Sequence, residues 1–334
     1  MSDKRTLIIA EAGVNHNGDY DTAKELIEVS AWAGADYVKF QTFKTDSLVT
    51  EHSPVASYQR RNDLKTQAKL LSKLELSLDW HKPLMDHAEK CGVKFMSTAF
   101  DLDSIAFLNE LNLSPFKIPS GEITNLLYLR AIGSLKKKII MSTGMATLGE
   151  VESALKVLEN VGTPLKDVTL LHCTSEYPTR SEDVNLRAMI TLRDCFDVDV
   201  GYSDHTIGFS VPVAAVTLGA AVIEKHFTLD RALPGPDHQA SLEPQELKQM
   251  VQAIREAESC LGSSVKKPTR GEIANADIAR RSIVAKKQIK KGEVFSVENI
   301  TVKRPGTGIS PMQFDSIVGR RSIKNFDRDD LIEI

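Results

Sequence analysis

The chain has 334 residues, a formal net charge of −3, 42% hydrophobic and 26% charged residues. This is the balance of a soluble globular protein, with no basic field to attract nucleic acid or an anionic membrane, and no apolar run nears the ~20 residues of a membrane span. The apolar stretch behind MSDKR is too short for a signal peptide, which predicts a cytoplasmic location, and the length exceeds one β/α barrel of roughly 250 residues by about a small domain.

Taken in chain order, the first apolar run, TLIIAE (6–11), ends on Glu11. A helical segment (21–34) follows, with Asp21 as its expected cap and Gly34 as its stop. YVKFQT (37–42) carries Lys39 and Gln41. Roughly 35 residues of mixed charge, 43–77, come next; a connection that long reads as a lid or as a disordered insertion. After a helix at 78–92, VKFMST (93–98) ends on Thr98. A helix at 104–112 leads to PFKIPSGE (115–122), which brings Lys117, Ser120 and Glu122. A helix at 125–135 leads to KIIMST (138–143) with Ser142. The helix at 147–162 opens on a Thr147/Glu150 capping box. VTLLHCTS (168–175), a helix (187–196), VDVGYSDH (198–205), a helix (210–220), AAVIEKH (220–226) and a helix (244–262) complete the series.

Eight strand-like runs separated by helices predict an α/β fold, a parallel (β/α)8 TIM barrel over 1–262. Polar strand ends then meet at the carboxyl face, so Glu11, Lys39, Gln41, Thr98, Lys117, Ser120, Glu122, Ser142, Ser203, His205 and His226 should surround one pocket. His205 and His226 end neighbouring strands and could share a weakly held Mn²⁺ or Mg²⁺, or be two hydrogen-bonded rim histidines. A lysine inside a barrel mouth is costly without an anion. Lys39 and Lys117 with the hydroxyls therefore read as a phosphate or carboxylate cradle, the other reading being a lysine paired with Glu11 or Glu122. Lys117 could also serve as a Schiff-base nucleophile. Glu11 is a candidate general base or a structural partner, and a carboxylate near two lysines should have its charged form favoured. Of the other histidines, only His16 and His238 sit where pocket contact is plausible.

Cys91, Cys173, Cys195 and Cys260 form no C-x-x-C pair and read as reduced structural thiols. Cys173 stands beside His172, but adjacent strand residues face opposite ways and cannot form a nucleophilic couple. The Pro-Gly-Pro turn of 228–244 either presents Asp237 to the pocket rim or is an ordinary turn. Residues 263–278 are polar, without strong periodicity, and read as a linker; 279–334 alternate short apolar pieces with Gly turns, a small β-rich domain. Arg304 there precedes a Pro-Gly turn.

The segments IAEAGVNHNG (9–18), VKFQTF (38–43), STAFD (97–101), FKIPSGEITN (116–125), STGMAT (142–147), LHCTSEYPT (171–179), GYSDHT (201–206), IEKHFTLD (223–230), LPGPDHQASL (233–242) and KKGEVFSVENITVKRPGTGISP (290–311) together resemble the sialic acid synthases. The resemblance runs nearly the whole chain and makes the tail an antifreeze-like (SAF) domain. It implies condensation of phosphoenolpyruvate with an N-acetylated amino sugar to a nonulosonic acid and phosphate. It also implies that Lys39, Thr98, Lys117, Ser120, Ser142 and Ser203 hold phosphoenolpyruvate. His205 and His226 would bind a divalent metal, Mn²⁺ first, with Mg²⁺ or Co²⁺ as substitutes. Glu11 and Glu122 would serve acid–base and hydrogen-bonding roles, and Gln41, Tyr177 and Asp237 would touch the sugar. Arg304 would reach the sugar's N-acetyl group from the partner of a domain-swapped homodimer. Ser175 is a substrate-binding position that stands where the sialic acid synthase pattern has Asn. GPDHQASL is closer to the legionaminic acid synthases, which use a 2,4-diacetamido-trideoxy sugar in place of N-acetylmannosamine.

Overall fold

The structure, a computed structural model, describes residues 5–50, 53–54 and 66–334. The chain divides into two compact units, the first ending at Gly262 and the second spanning Ser263–Ile334.

In the first unit eight parallel strands close into a barrel in chain order. They are β1 (Leu7–Gly13), β2 (Tyr37–Thr42), β3 (Lys94–Ala99), β4 (Phe116–Ile118), β5 (Ile139–Ser142), β6 (Val168–His172), β7 (Asp199–Asp204) and β8 (Val222–His226). The connections carry α1 (Tyr20–Ala33), α2 (Thr45–Leu48), α3 (Gln67–Leu71), α4 (Leu78–Cys91), α5 (Leu102–Glu110), α6 (Leu126–Ser134), α7 (Leu148–Asn160), α8 (Arg187–Phe196), α9 (Ser210–Thr217) and α10 (Pro244–Leu261). The Thr147/Glu150 capping box opens α7 as expected. The cap of α1 is Asp19 and not Asp21: its side chain accepts from the Thr22 amide at 2.7 Å, and Asp21 lies inside the first turn. Gly34 and Gly92 end α1 and α4 in left-handed conformations, where a side chain would be strained.

Strand alternation sorts side chains between two cores. Ile8, Ala10, Val38, Phe40, Phe116, Met141, Leu170, Val200 and Ile223 point outward and pack beneath the helices. Ile9, Tyr37, Met96, Ile140, Leu171 and Val222 point inward and form a separate apolar plug. Register then stacks the polar residues above that plug: Glu11 pairs with Lys39 and His226, Gln41 with Thr98, Thr98 with Lys117, and Ser203 with Glu224. The plug closes the barrel floor, so chemistry is left to the carboxyl end.

The long connection after β2 holds α2 and α3. Residues 51–52 and 55–65 within it lie outside the described residues, and the lid reading with them. The second unit departs from the featureless linker expected over 263–278. Thr269 and Glu272 make a capping box that opens α11 (Arg270–Ala279). This helix buries no residue and so shows no apolar stripe in the sequence. Beyond it β9 (Ser282–Ala285) pairs antiparallel with β10 (Ile300–Lys303), and α12 (Phe314–Ile317) follows. Ile283, Ile289, Phe295, Ile300, Ile317, Phe326 and Ile332 form its own small core.

Candidate active site

At the carboxyl end of the barrel, the inward polar residues form one buried charge network. Lys39 Nζ lies 2.8 Å from Glu11 Oε2 and 3.6 Å from Glu224 Oε2, and donates to Thr98 Oγ1 at 3.1 Å. Lys117 Nζ donates to Ser142 Oγ at 2.8 Å and lies 3.5 Å from Glu224 Oε1. Ser203 Oγ donates to the same Glu224 oxygen at 3.0 Å, and Gln41 Nε2 donates to Glu11 Oε1 at 3.2 Å. Both lysines therefore have carboxylate partners, and the shared one is Glu224. It is not among the polar strand ends that the sequence singles out. Glu224 stands two positions before His226 on β8, so period-2 alternation alone puts the two on one face.

The two carboxylates sit in opposite electrostatic states. Burial pushes the Glu11 carboxyl up to about 7, against the pull of Lys39. The expectation that nearby lysines would keep Glu11 charged is corrected, because desolvation outweighs a single close lysine there. It holds for Glu224 instead: burial opposes its charge too, but Lys117, Lys39 and His226 together hold it well below the usual carboxylate range. Burial lowers the Lys117 ammonium from its ordinary value. For Lys39 the cost of burial is exceeded by Glu11 and Glu224, and its affinity for a proton rises.

His205 and His226 bring their rings to 5.6 Å between centroids. The His205 Nδ1 lies 2.7 Å from the Thr174 carbonyl, which makes Nδ1–H the donor and leaves Nε2 with its lone pair. His226 Nδ1 is buried and has no hydrogen-bond partner. Burial lowers both histidines, so both are neutral near pH 7. Neutral imidazoles with a free nitrogen, one of them oriented by a carbonyl, are a donor pair that fits a divalent cation. Among the described residues no group of three or more His, Cys, Asp or Glu is arranged for a metal. Two imidazoles with oxygens from water and substrate suit an open-sided ion better than a closed structural site.

Tyr177 lays its ring 4.1 Å from that of His205 and 5.9 Å from that of His226. Asp237 is half-buried in the loop after β8; burial pushes its carboxyl up to about 6, with Lys39 acting against the shift. Ser120 accepts from the Gly144 amide at 3.0 Å and lies 3.2 Å from the buried Cys173 thiol. A Cβ on Gly144 would fall 2.3 Å from Ser175 Oγ and 2.8 Å from Ser120 Oγ, so the loops after β4, β5 and β6 meet there only because that residue is glycine. His172 turns away to the Val184 carbonyl, so it and Cys173 diverge as strand alternation requires.

Four other candidates have their own partners. Glu122, half-buried in a 3₁₀ turn after β4, accepts from Asn125 at 2.7 Å. Arg304, in the second unit, donates from Nε to the Ala279 carbonyl at 3.0 Å. His16 and His238 serve loop architecture: His16 Nδ1 accepts from the Gly18 amide, and His238 bonds to Thr228 and Asn17.

Residues 26–266 match the NeuB family and residues 280–333 the SAF domain. The N,N'-diacetyllegionaminic acid synthase of Campylobacter jejuni is 55% identical over 332 residues, covering 98% of this chain and 99% of that one. The N,N'-diacetyllegionaminic acid synthase of Legionella pneumophila is 51% identical, covering 95% of this chain and 90% of that one. Among solved structures, the N-acetylneuraminic acid (sialic acid) synthetase of Leptospira borgpetersenii superposes with a TM-score of 0.72 at 32% identity, over 82% of this chain and 91% of that one.

Proposed function

This chain belongs to the NeuB family and ends in an SAF domain, and on that premise we propose that it condenses phosphoenolpyruvate with an N-acetylated mannosamine-type sugar, giving a nonulosonic acid and phosphate. Within that class the reading is N,N'-diacetyllegionaminate rather than N-acetylneuraminate. The observation that carries it is 55% identity, across nearly both whole chains, to a protein named for that synthesis.

The site's chemistry supports the class. Lys39 and Lys117, with Thr98, Ser120, Ser142 and Ser203, are the groups to hold the carboxylate and phosphate of phosphoenolpyruvate. Held there, its methylene carbon meets the sugar aldehyde without the entropic cost of a free encounter. As the enol π pair forms the new C–C bond, the aldehyde C=O π pair moves onto its oxygen, which takes a proton to become a hydroxyl, and a cation is left at the enol carbon; water adds to that cation and gives up a proton, and collapse of the tetrahedral intermediate expels phosphate. Glu11, with its carboxyl near 7, is suited to take the proton from that water at neutral pH. Tyr177, Gln41, Ser175 and Asp237 would touch the sugar. His205 and His226 would hold the divalent cation, Mn²⁺ first, which when bound supplies Lewis-acid polarisation of the aldehyde oxygen.

The finer parts of the reading are a homodimer in which the partner's SAF domain brings Arg304 to the sugar, and a cytoplasmic location. Leu127, Met145 and Ile207, on segments following β4, β5 and β7, are 66%, 76% and 69% exposed. Apolar groups so placed around a barrel mouth support a covering partner. No helix among the described residues is long and apolar enough to cross a membrane.

The test is phosphate release from phosphoenolpyruvate with Mn²⁺, run in parallel with N-acetylmannosamine and its 2,4-diacetamido-trideoxy analogue. Release with the second sugar, abolished by chelator, is the expected result. Release with neither, together with borohydride trapping of pyruvate on Lys117, would replace this reading with a lysine aldolase.

A further inference from the structure

His205 and His226 are each joined in sequence to a buried charge on the opposite face of the sheet. Asp204 precedes His205, Lys225 precedes His226, and the register of β7 and β8 sets Asp204 against Lys225. Lys225 Nζ donates to Asp204 Oδ2 at 2.6 Å, and neither side chain has any exposed surface. Lys225 also donates to the Thr206 carbonyl. Asp204 in turn accepts from the Thr206 amide at 3.1 Å and its hydroxyl at 3.0 Å. The pair thus closes the turn that carries His205.

The contacts continue from that turn to the imidazole itself. Thr206 bridges to Thr179, whose amide donates to the His205 carbonyl at 2.8 Å. The Thr179 hydroxyl donates to the Glu176 carbonyl at 2.7 Å, fixing the loop that carries Tyr177. The Thr174 carbonyl of that loop takes the His205 Nδ1 at 2.7 Å. A buried ion pair is a poor device for stability alone, since apolar groups of similar size commonly do as well. What it adds is direction: charged, hydrogen-bonded groups fix the twist of the strand ends, and each inward side chain follows from its outward neighbour.

We infer that Asp204 and Lys225 are positioning residues that hold the two imidazoles in the relation needed to share one cation. The inference rests on the metal reading of the site.

The test is titration of the full chain with Mn²⁺ alone by calorimetry, with the paramagnetic resonance line shape of bound Mn²⁺ as a second readout. Four proteins are compared after melting curves establish that they fold: wild type, His226→Gln, the paired Asp204→Asn/Lys225→Met variant, and Thr206→Val. The last keeps both charges and removes only the hydroxyl tie, so it serves if the paired variant does not fold. Wild type should bind Mn²⁺ and His226→Gln should lose it. The folded paired variant should bind 10–100-fold more weakly with a changed line shape, the range of losses for groups that orient metal ligands; Thr206→Val should bind several-fold more weakly. Folded variants with wild-type affinity and line shape overturn the inference and leave the metal reading standing. A wild type that does not bind Mn²⁺, or a His226→Gln that binds as well as wild type, overturns the metal reading and this inference together.

Discussion

Glu224 and Lys225 are neighbours on β8, both buried, and both paired with opposite charges, yet they belong to different kinds of cluster. On the outer face, Lys225 and Asp204 are saturated: each charge finds its partners within two strand ends and one turn. On the inner face, Glu11 Oε2 has only the Lys39 ammonium, 2.8 Å away, and Glu224 Oε2 and His226 Nδ1 have no hydrogen-bond partner. Buried polar atoms are costly when unsatisfied, so a protein that tolerates several in one place leaves them for something else to satisfy. The saturated cluster builds the wall, and the unsaturated one, poised between protonation states, is where the proposed function puts substrate and metal.

The comparison predicts that substitutions inside cost turnover with little loss of stability, and that substitutions outside cost stability first. Glu11→Gln carries the largest inner effect: steady-state phosphate release should fall roughly 10²–10⁴-fold, the range for a positioned base. Phosphoenolpyruvate affinity and melting temperature should stay near wild type; unchanged turnover would remove Glu11 from the mechanism. Because base action requires the carboxylate, turnover in the wild type should rise with pH through about 7, and that limb should vanish in Glu11→Gln. Lys225→Met carries the largest outer effect. It strands the Asp204 charge, and denaturant unfolding should show a loss of about 3–5 kcal/mol. Lys117→Met sharpens the contrast, since Glu224 keeps Lys39 as a partner 3.6 Å away. Its unfolding should change little while turnover falls roughly 10²–10³-fold, as for loss of one preorganised electrostatic group. A Lys117→Met that unfolds as readily as Lys225→Met would break the distinction.

The fold was legible because each barrel strand is a short apolar run, ended by polar groups and followed by a helix. Those polar strand ends carried the gathering of Lys39, Lys117, Ser142, Ser203, His205 and His226 at the carboxyl face. What escaped were relations set only by register. Glu224 lies below the strand end, and its bridge between two lysines on β2 and β4 needs the closed barrel. Lys225 reads as a polar residue beside a histidine until β7 is laid against β8. The high Glu11 carboxyl depends on burial, which composition does not report. The α11 helix escaped because it buries nothing, and the Asp19 cap because two aspartates two residues apart are equally plausible from sequence.

A third cluster, on the outer face and without formal charge, sets the smallest prediction. His81 of α4 bonds through Nε2 to Thr42 Oγ1 at 2.7 Å and through Nδ1 to the Ser77 carbonyl at 3.0 Å, and Thr42 meets Ser97 at 2.6 Å. Like Asp204–Lys225 it is saturated and wholly buried; unlike that pair it adjoins neither imidazole in sequence, so it should act on stability and not on turnover. Burial pushes the His81 imidazole down to about 4 from its ordinary 6.5, and His16 shifts likewise. Between those values the unfolded chain binds a proton that the folded chain refuses, so stability is greatest above 6.5 and falls as pH drops toward 4. For one such histidine the loss between pH 7.5 and pH 5 is about 2 kcal/mol. Unfolding free energies of wild type and His81→Gln at the two pH values isolate it: the wild type should lose about 2 kcal/mol more than the variant across that interval. Equal losses would mean that His81 takes up its proton in the folded state, and that this outer cluster is as open to exchange as the inner one.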